Sequence, residues 1–347
     1  MSTRRVAIAG ATGYAGEALI RILQQHPSVQ LTHLAASAKW ERPVALAEVF
    51  PHLAGSLELP VVALDPPRLA ESADVVFLAL PHGVSMDVVP TLLQAGRQVI
   101  DLGGDFRLHD PKAFASWYGK THTHPELLGQ AVYGISELFR EQIQGASLIA
   151  NPGCYATSAI LACAPLLKRR CVDPEGIIVD AKSGRSGAGR QAVADMMSSV
   201  MPENLWAYKV NGHQHVPEIE QALGSLTRTR GLSVTFVPHV VPMHQGILST
   251  IYLRTRGPLT WQQVHQRYEE SYGHGRAPFV RLQPEGRWPQ VRDVVGTNYC
   301  DLAFTVDQRK RLLIIVAVID NLIKGAAGQA VQNLNLMAGW PETTGLL

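Results

Sequence analysis

The feature that most constrains the fold is a short apolar strand that runs directly into a glycine-rich loop. The strand covers residues 6–9, and the residues after 16 have helical character. The loop has the spacing Gly-x-x-Gly-x-x-Gly, and its residues are Gly10, Ala11, Thr12, Gly13, Tyr14, Ala15 and Gly16. Glycines in a strand–loop–helix unit let the backbone approach a pyrophosphate at the helix N-terminus. This context favours a nucleotide site, and the alternative is a tight structural turn.

The rest of the first 150 residues alternates short, continuously apolar runs with helix-like stretches. The predicted strands are 5–9, 29–36, 74–80, 98–102 and 147–150, and the predicted helices are 16–25 and 84–94. Strands that are apolar throughout are typical of a parallel sheet covered on both faces. The alternation therefore predicts an α/β domain with a Rossmann-type, doubly wound parallel sheet.

The second half has a different pattern. Longer strands are predicted at 176–181, 233–240, 246–254 and 311–318, with helices at 218–223 and 260–272. This order predicts an α+β domain with a mixed or antiparallel sheet. The segment 321–337, rich in Ala, Gln, Asn and Leu, is predicted to form one helix.

Composition limits the class of partner and the compartment. The 347 residues are 46% hydrophobic and 17% charged, with a net charge of +2. This balance gives no electrostatic reason to expect nucleic acid or an anionic membrane as the main partner. The longest apolar run, 312–319, is far too short to span a bilayer. No signal peptide is recognisable at the N-terminus, and the four cysteines form no CxxC pair, so we expect a cytoplasmic protein.

The end of the second strand bears on the choice of nicotinamide cofactor. An NAD enzyme usually has an acidic residue there to hold the ribose hydroxyls. The segment 35–39 at the end of this strand contains Ser37 and Lys39, and the first acidic residue after the strand is Glu41. A hydroxyl and an ammonium suit a 2′-phosphate, which favours NADP(H). The alternative is that Lys39 is a solvated loop charge.

Cys154 lies on a turn between a predicted strand and a predicted helix at 156–162. Pro152 and Gly153 break the strand, so the thiol falls at a helix N-terminus, where the helix dipole and the main-chain N–H groups favour thiolate over thiol. This position predicts a nucleophile for covalent catalysis. The alternative is a small buried hydrophobic residue, which is our interpretation of Cys163.

Two histidines are the candidate proton-transfer partners of the thiol. His213 and His215 precede Pro217, which can start a helix, so His215 is expected just before a helix N-terminus. A neutral imidazole there can act as general acid or base near pH 7. With Glu218 the pair could instead hold a metal, but no further ligand cluster follows, and we expect no metal site. A purely structural role is the third possibility.

A second glycine-rich loop, 182–190, offers main-chain donors and two guanidinium groups, Arg185 and Arg190, suited to phosphate or carboxylate. The alternative is a flexible surface loop. Arg107 and His82 follow predicted parallel strands at the carboxyl edge of the sheet, where ligands collect.

Taken together, these segments resemble the N-acetyl-gamma-glutamyl-phosphate reductase family, which is related to aspartate-semialdehyde dehydrogenase. The resemblance covers essentially the whole chain, and it rests on the motifs GATGYAG (10–16), LPHG (80–83), DFR (105–107), NPGCYAT (151–157), SGAGR (186–190), HxHxPEIEQ (213–221), FVPH (236–239) and DNLIKGAAGQAVQN (320–333).

The resemblance implies a role for each matching position. Cys154 matches the nucleophile and His215 the acid/base. The expected NADP(H) contacts are Gly10, Thr12, Gly13, Tyr14, Ala15, Gly16, Ser37, Lys39, Pro81, Ser186, Gly187 and Asn321. The expected substrate contacts are Arg107, Asn151, Arg185, His213 and Glu218. The implied domains are 1–150 for the cofactor, completed by 321–347, and 151–320 for catalysis and oligomerisation.

The chain departs from the family pattern in three places. Gln214 stands where the family often has Arg between the two histidines, and Gln245 stands where it often has Arg before Gly246. The DLSADFR run appears as DLGGDFR at 101–107. These differences concern the contacts that anchor the substrate.

The implied activity is NADPH-dependent reduction of N-acetyl-L-glutamyl 5-phosphate through a Cys154 thioester, in arginine biosynthesis. The implied assembly is a homodimer or homotetramer that acts on a small acyl phosphate. Alternatives with the same chemistry are reductases of a carrier-bound aminoadipyl or glutamyl phosphate or of aspartyl phosphate. Alternatives of other classes are a catalytically dead nucleotide-sensing protein and a metal-dependent hydrolase that uses the two histidines.

Overall fold

The structure, a computed structural model, describes residues 3–190, 203–227 and 231–347. The chain forms two compact units, residues 1–152 with 326–347 and residues 153–325. Each unit is built on its own sheet. No helix in the described ranges is both long enough and apolar enough to cross a membrane.

The first unit is a doubly wound α/β domain. Its strands are β1 (Arg4–Ala9), β2 (Val29–Ala35), β3 (Val44–Ala45), β4 (Pro60–Val62), β5 (Val75–Leu78), β6 (Gln98–Asp101), β7 (Val132–Tyr133) and β8 (Leu148–Ala150). Its helices up to residue 152 are α1 (Tyr14–Leu23), α2 (Leu46–Val49), α3 (Pro66–Ser72), α4 (Ser85–Gln94), α5 (Pro111–Tyr118) and α6 (Ser136–Gln144).

The strand order of this sheet is β3-β4-β2-β1-β5-β6-β8-β7, and every pair is parallel except β3 with β4. Strands β1 and β5 are buried from Val6 to Ala9 and from Val75 to Leu78. Burial on both faces requires an apolar residue at every position, and this continuous apolar run is what predicts the sheet from the sequence. The chain leaves β1 towards β2 on one side, and β5 lies on the other. Ligands of open α/β sheets bind at the carboxyl ends of strands at such a switch point, and the glycine loop lies there.

The second unit is α+β with a mixed sheet. Its strands are β9 (Ile177–Ser183), β10 (Trp206–Ala207), β11 (Val234–Val240), β12 (Ile247–Arg254), β13 (Val280–Leu282), β14 (Cys300–Asp307) and β15 (Leu312–Ile319), in the order β10-β11-β9-β12-β15-β14-β13. Its helices are α7 (Cys154–Lys168), α8 (His215–Thr227) and α9 (Trp261–Tyr272). Helix α7 packs against β12 and β15 and is flanked by α8 and α9.

The single helix predicted at 321–337 is wrong. A π-helical turn, Ile323–Ala327, precedes the last helix, α10 (Gly328–Met337). The amide of Gly325 donates to the carbonyl of Asp320, five residues back, and the Asp320 carboxylate accepts the amides of Leu322 and Ile323. These bonds stabilise the wider, π-helical turn that precedes α10.

Helix α10 belongs to the first unit, where it packs against α1 and α6. All ten of its residues are buried, including four amide side chains: Gln329, Gln332, Asn333 and Asn335. Asn333 Nδ2 donates to the Gly134 carbonyl and Asn335 Oδ1 bonds the His26 ring. Burial of these amides is tolerated because they are hydrogen-bonded.

Candidate active site

Cys154 is the first residue of α7, the position that the sequence predicts. Gly153 is the N-cap, in an extended conformation (φ −72°, ψ 151°) and without a side-chain capping bond. Its carbonyl accepts both the amide and the hydroxyl of Thr157, at 2.9 and 3.1 Å. Amides in the first turn of a helix have no intrahelical acceptor. The half-buried thiol therefore lies at an N-terminus that favours negative charge.

Glu218 connects this turn to the histidines. Its side chain is fully buried, and one carboxylate oxygen accepts the Gly153 amide at 2.7 Å. The other oxygen lies 3.9 Å from His215 Nε2. Glu218 therefore fixes the residue before Cys154 and lies within ion-pair distance of the His215 ring.

The expectation that His215 precedes the helix is wrong by one position, because His215 is the first residue of α8. Pro217 is the third residue of this helix, where its missing N–H costs no intrahelical bond. His215 and Glu218 therefore lie one turn apart on the same face.

The rings of His213 and His215 contact different groups. The amide of His215 donates to His213 Nδ1 at 3.1 Å, so that nitrogen is an acceptor and carries no proton. The His215 ring instead lies beside the Glu218 carboxylate.

Aromatic rings enclose both histidines. The Tyr155 ring contacts His213, His215 and Phe236, with centroids 6.0, 5.9 and 5.2 Å apart. Burial raises the pKa of Tyr155, and its hydroxyl donates to the His239 carbonyl. Tyr155 is therefore a neutral wall next to the nucleophile.

Gly325 packs directly against Cys154. A Cβ at this position would lie 2.6 Å from the Cys154 Cβ and 3.3 Å from the Asp320 carbonyl, so no larger residue fits. The Asp320 carboxylate fixes the turn: besides its two bonds within the turn, it accepts the Gly296 amide at 2.6 Å and Gln245 Nε2 at 2.5 Å. Gln245, one of the departures from the family pattern, therefore acts here as a donor to a buried carboxylate.

Asn321 lies next to two other residues that are predicted to contact the cofactor, Ser186 and Gly187. Its Oδ1 accepts the Gly246 amide at 2.6 Å, and its Nδ2 donates to Ser186 Oγ at 3.0 Å. Gly187 lies beside it, since a Cβ there would lie 3.7 Å from Asn321 Nδ2. Ser186 is buried, whereas Gly187 is exposed. Arg185 is half-buried and its amide donates to the Met243 carbonyl.

The glycine loop of the first unit fits a pyrophosphate. Gly10 has φ +85°, and a Cβ there would lie 2.1 Å from the Ala79 carbonyl oxygen. A Cβ at Gly16 would lie 2.2 Å from the Gly10 carbonyl oxygen, whereas one at Gly13 meets nothing closer than 3.6 Å. Gly13 caps α1 without a side-chain bond. The first-turn residues Tyr14, Ala15 and Gly16 thus present main-chain amides at a helix N-terminus, with Thr12 on the loop before them.

The remaining predicted cofactor residues lie on other loops of the first unit. Ser37 and Lys39 are exposed just after β2, and Pro81 is exposed after β5. His82, next to Pro81, accepts the Gly104 amide through Nδ1. Pro81 and His82 are thus held on the loop that follows the strand beside β1.

Arg107 and Asn151 are tied to the main chain of the first unit. Arg107 is buried, and it donates from Nε to the Asn151 carbonyl at 2.9 Å and from an Nη to the Leu102 carbonyl at 2.7 Å. Asn151 donates to the Ala326 carbonyl. These bonds hold the end of β8 just before the turn that carries Cys154.

Sequence reasoning missed two buried carboxylates next to these residues. Asp105 accepts the amides of Gly83 and Met86, and Asp101 accepts the Ser85 hydroxyl and the Gly103 amide. Burial, together with the neighbouring Asp105 charge, raises the pKa of Asp101 to about 7. The sequence shows both aspartates within the DLGGDFR run, but it does not show which groups they hydrogen-bond.

The predicted residues thus form one set in each unit. In the second unit, Gly325 packs against Cys154 and Asp320 holds the turn that carries Gly325. The sequence did not single out either residue. The glycine at 325, within a segment predicted as helix, was the available signal. In the described ranges, no three His, Cys, Asp or Glu side chains converge as they would around a metal ion.

Each of the two units matches a domain of a known protein family. The semialdehyde dehydrogenase NAD-binding domain matches residues 5–146, and the semialdehyde dehydrogenase dimerisation domain matches residues 154–321. The first unit is therefore a nicotinamide-cofactor domain, and the second supports an oligomer.

Several relatives resemble the whole chain. An N-acetyl-gamma-glutamyl-phosphate reductase from Geobacter sp. (strain M21) is 51% identical over 343 residues, covering 99% of this chain and 97% of that protein. One from Symbiobacterium thermophilum is 49% identical over 346 residues, with 99% and 98% coverage.

Solved structures share the fold at low identity. Aspartate semialdehyde dehydrogenase II from Vibrio cholerae, complexed with ASA, is 20% identical with a TM-score of 0.73, covering 98% of this chain and 99% of that one. Aspartate semialdehyde dehydrogenase from Candida albicans, with NADP, is 17% identical with a TM-score of 0.69, covering 97% and 99%.

Proposed function

Because the chain belongs to the N-acetyl-gamma-glutamyl-phosphate reductase family, with relatives about half identical over nearly its full length, we propose that it reduces N-acetyl-L-glutamyl 5-phosphate with NADPH. The products are N-acetyl-L-glutamate 5-semialdehyde and phosphate, in arginine biosynthesis. The observation that carries the proposal is the Cys154 thiol at the start of α7, beside the His215–Glu218 pair.

The first step is attack of the Cys154 thiolate on the acyl phosphate carbon. The carbon–sulfur bond forms as the carbon–oxygen bond to phosphate breaks, and phosphate leaves with the electron pair. The product is a thioester on Cys154. Main-chain amides in the first turn of α7 are placed to stabilise the oxyanion that develops on the carbonyl oxygen.

His215 handles the protons. Its imidazolium form, supported by Glu218, favours the thiolate before attack. Reduction of the thioester leaves a tetrahedral oxyanion, to which the His215 imidazolium donates its proton. When the resulting thiohemiacetal collapses to the aldehyde, Cys154 leaves as a thiolate and the neutral His215 takes the hydroxyl proton back. Gly325 and the Glu218–Gly153 bond hold the cysteine main chain in place through both steps.

The cofactor, when bound, supplies the hydride that reduces the thioester carbonyl. The loop residues Gly10 to Gly16 would hold its pyrophosphate, and Ser37 and Lys39 are the groups suited to a 2′-phosphate, which favours NADP over NAD. Ser186, Gly187 and Asn321 are proposed to contact the same cofactor, with Pro81. Arg107, Asn151, Arg185 and His213 are proposed to support the substrate.

One face of the mixed sheet is proposed as a subunit interface. Strands β9, β12 and β15 alternate buried with more exposed residues. The more exposed set contains the apolar Ile178, which is 41% exposed, and the half-buried Leu248, Tyr252, Ile314 and Val316, together with the polar or charged Thr250, Asp180 and Lys182. A sheet face that mixes apolar with polar residues in this way suits a second copy of the chain. We propose a homodimer through this face, with a homotetramer as the alternative.

The reaction is tested in the oxidative direction. N-acetyl-L-glutamate 5-semialdehyde, NADP and phosphate are expected to give turnover with kcat/KM at least about 100-fold above that for aspartate semialdehyde. Omitting phosphate is expected to stop turnover. A preference for aspartate semialdehyde, or sustained turnover without phosphate, would contradict the proposal.

A further inference from the structure

The turn before the two histidines has an unusual backbone. Lys209 and Asn211 have φ of +42° and +54°, although neither is glycine. The turn is fixed on both sides by β11, because the amides of Tyr208 and Asn211 donate to the carbonyls of Pro238 and Phe236 at 3.1 Å each. Backbone strain that the surrounding structure enforces is concentrated at functional sites.

The turn carries an ammonium group whose hydrogen-bond partner is a side-chain amide. Lys209 is exposed, and its Nζ donates to Gln214 Oε1 at 3.1 Å. In the ranges that the structure describes, no carboxylate lies within ion-pair distance of Lys209. By contrast, Lys182 and Lys310 each pair with an aspartate. The neutral amide of Gln214 thus positions the Lys209 ammonium without neutralising its charge.

The same turn adjoins the walls of the Cys154 site. The Tyr208 hydroxyl donates to the Tyr155 hydroxyl at 3.5 Å, and the Tyr208 and His213 rings are 5.7 Å apart. Burial raises the pKa of Tyr208 to about 12, and the charge of a nearby Cys154 thiolate contributes in the same direction. Gln214 itself lies between the two histidines. The ammonium is thus built into the segment that supplies the acid/base.

We propose that Lys209, positioned by Gln214, binds an oxyanion of the substrate and determines specificity for an anionic acyl group. This inference rests on the proposed function, whose substrate carries two oxyanions, a carboxylate and an acyl phosphate. A strongly hydrated, flexible ammonium suits either group as a point charge. Gln214 lies between the two histidines and holds the Lys209 ammonium through Oε1, which places this cation beside the segment that carries His213 and His215.

The first test measures the charge beside Cys154 without any turnover. Alkylation of Cys154 by iodoacetate and by iodoacetamide is followed by peptide mass mapping in the intact protein. Replacing Lys209 by Met is expected to lower the iodoacetate-to-iodoacetamide rate ratio about threefold or more, because one favourable charge is lost. Lys209→Asn serves as a second neutral variant, since Asn tolerates a left-handed backbone.

Lys310→Met is the matched control, because it removes an exposed ammonium on the β14–β15 turn. Its rate ratio is expected to equal that of the wild type. An unchanged ratio in both Lys209 variants would overturn the proposal, and so would an equal fall in the Lys310 variant.

The second test separates the two oxyanions, which reside on different substrates in the oxidative direction. Loss of the Lys209 charge is expected to raise KM at least about tenfold for one of them, semialdehyde or phosphate, with kcat within about threefold. Lys209→Arg is expected to recover most of the loss. Unchanged values for both substrates would overturn the proposal. Failure of the wild type to oxidise the semialdehyde would instead refute the proposed function, while the alkylation ratio still reports on Lys209.

Discussion

Helices α1 and α7 begin in the same way and are surrounded by different chemistry. Each follows a parallel strand, and each is capped by a glycine in an extended conformation, Gly13 or Gly153, without a side-chain capping bond. Around the start of α1 the closest approaches are to main chain: Gly10 and Gly16 pack against carbonyl groups too closely for any Cβ, and Glu17 is the ionisable residue of the first turn. Around Cys154 the neighbours are ionisable side chains and Gly325.

The difference shows that one local unit serves two purposes. A helix N-terminus that follows a glycine loop can hold an anion through its main-chain amides. The same terminus with a thiol in its first position, and a proton carrier beside it, is suited to covalent catalysis. The residues around each glycine cap thus determine whether the helix N-terminus is suited to anion binding or to covalent catalysis.

Removing the proton carrier is expected to have the largest effect among the changes that separate the two termini. His215→Asn should lower kcat by at least about 100-fold, because a general acid/base contributes that much or more. His213→Asn should cost much less, since the Asn carbonyl oxygen can still accept the His215 amide. Steady-state rates as a function of pH check both variants. The reverse order of losses would assign the proton to His213.

Gly325→Ala tests whether the packing behind Cys154 matters. The added Cβ would lie 2.6 Å from the Cys154 Cβ, and displacement of a nucleophile by about 1 Å can cost about 100-fold in rate. Cofactor affinity, measured by titration, should stay within about twofold. Gly257→Ala is the control, because a Cβ there meets nothing within 4 Å. Near-wild-type kcat in the Gly325 variant would show that the turn does not position the thiol.

The matching experiment at α1 uses Gly16→Ala and Gly13→Ala. At Gly16 the new Cβ clashes with the Gly10 carbonyl, whereas at Gly13 it meets only that oxygen at 3.6 Å. Gly16→Ala should therefore lower the thermal stability and weaken cofactor binding about tenfold or more. Gly13→Ala should lower the stability much less, since only the weak preference for Gly over Ala at the N-cap is lost. Equal melting temperatures for the two variants would contradict the close approach seen at Gly16.

The smallest effect concerns pH and stability in the first unit. Because burial raises the Asp101 pKa from 3.8 to about 7, the folded state binds a proton more tightly than the unfolded state. Asp101 therefore contributes stability that is fully present below about pH 4 and is lost as pH rises through 7. Asp101→Asn should remove this part of the decline in thermal stability between pH 5 and pH 8. An unchanged slope in the variant would mean that Asp101 is ionised throughout.

Local signals allowed much of the fold to be predicted. The central strands of the first sheet are apolar from Val6 to Ala9 and from Val75 to Leu78 because both of their faces are buried. Cys154 was placed by turn residues only one or two positions away. Strand β14 was not predicted, since Asp301 and Thr305 interrupt its apolar run, although Asp301 is buried with Arg281 as its ion-pair partner.

What could not be predicted depends on contacts between distant residues. The Glu218 carboxylate meets the Gly153 amide across 65 positions, and Gln245 meets Asp320 across 75. The π-helical turn at 323–327 also depends on Asp320, which itself is held by Gly296. No periodicity in the sequence reports such pairings, so Asp320 and Gly325 became part of the site only in the folded chain.

The central claim, a thioester on Cys154, is tested most directly by a phosphate-free burst. Semialdehyde and NADP are mixed with the wild type and with Cys154→Ser, and NADPH formation is followed with the intact protein mass. The wild type should form about one equivalent of NADPH per active site and gain one acyl group on Cys154, then stall until phosphate is added. The Cys154→Ser variant should give no burst while still binding NADP. A burst from that variant, or full turnover by the wild type without phosphate, would contradict the thioester.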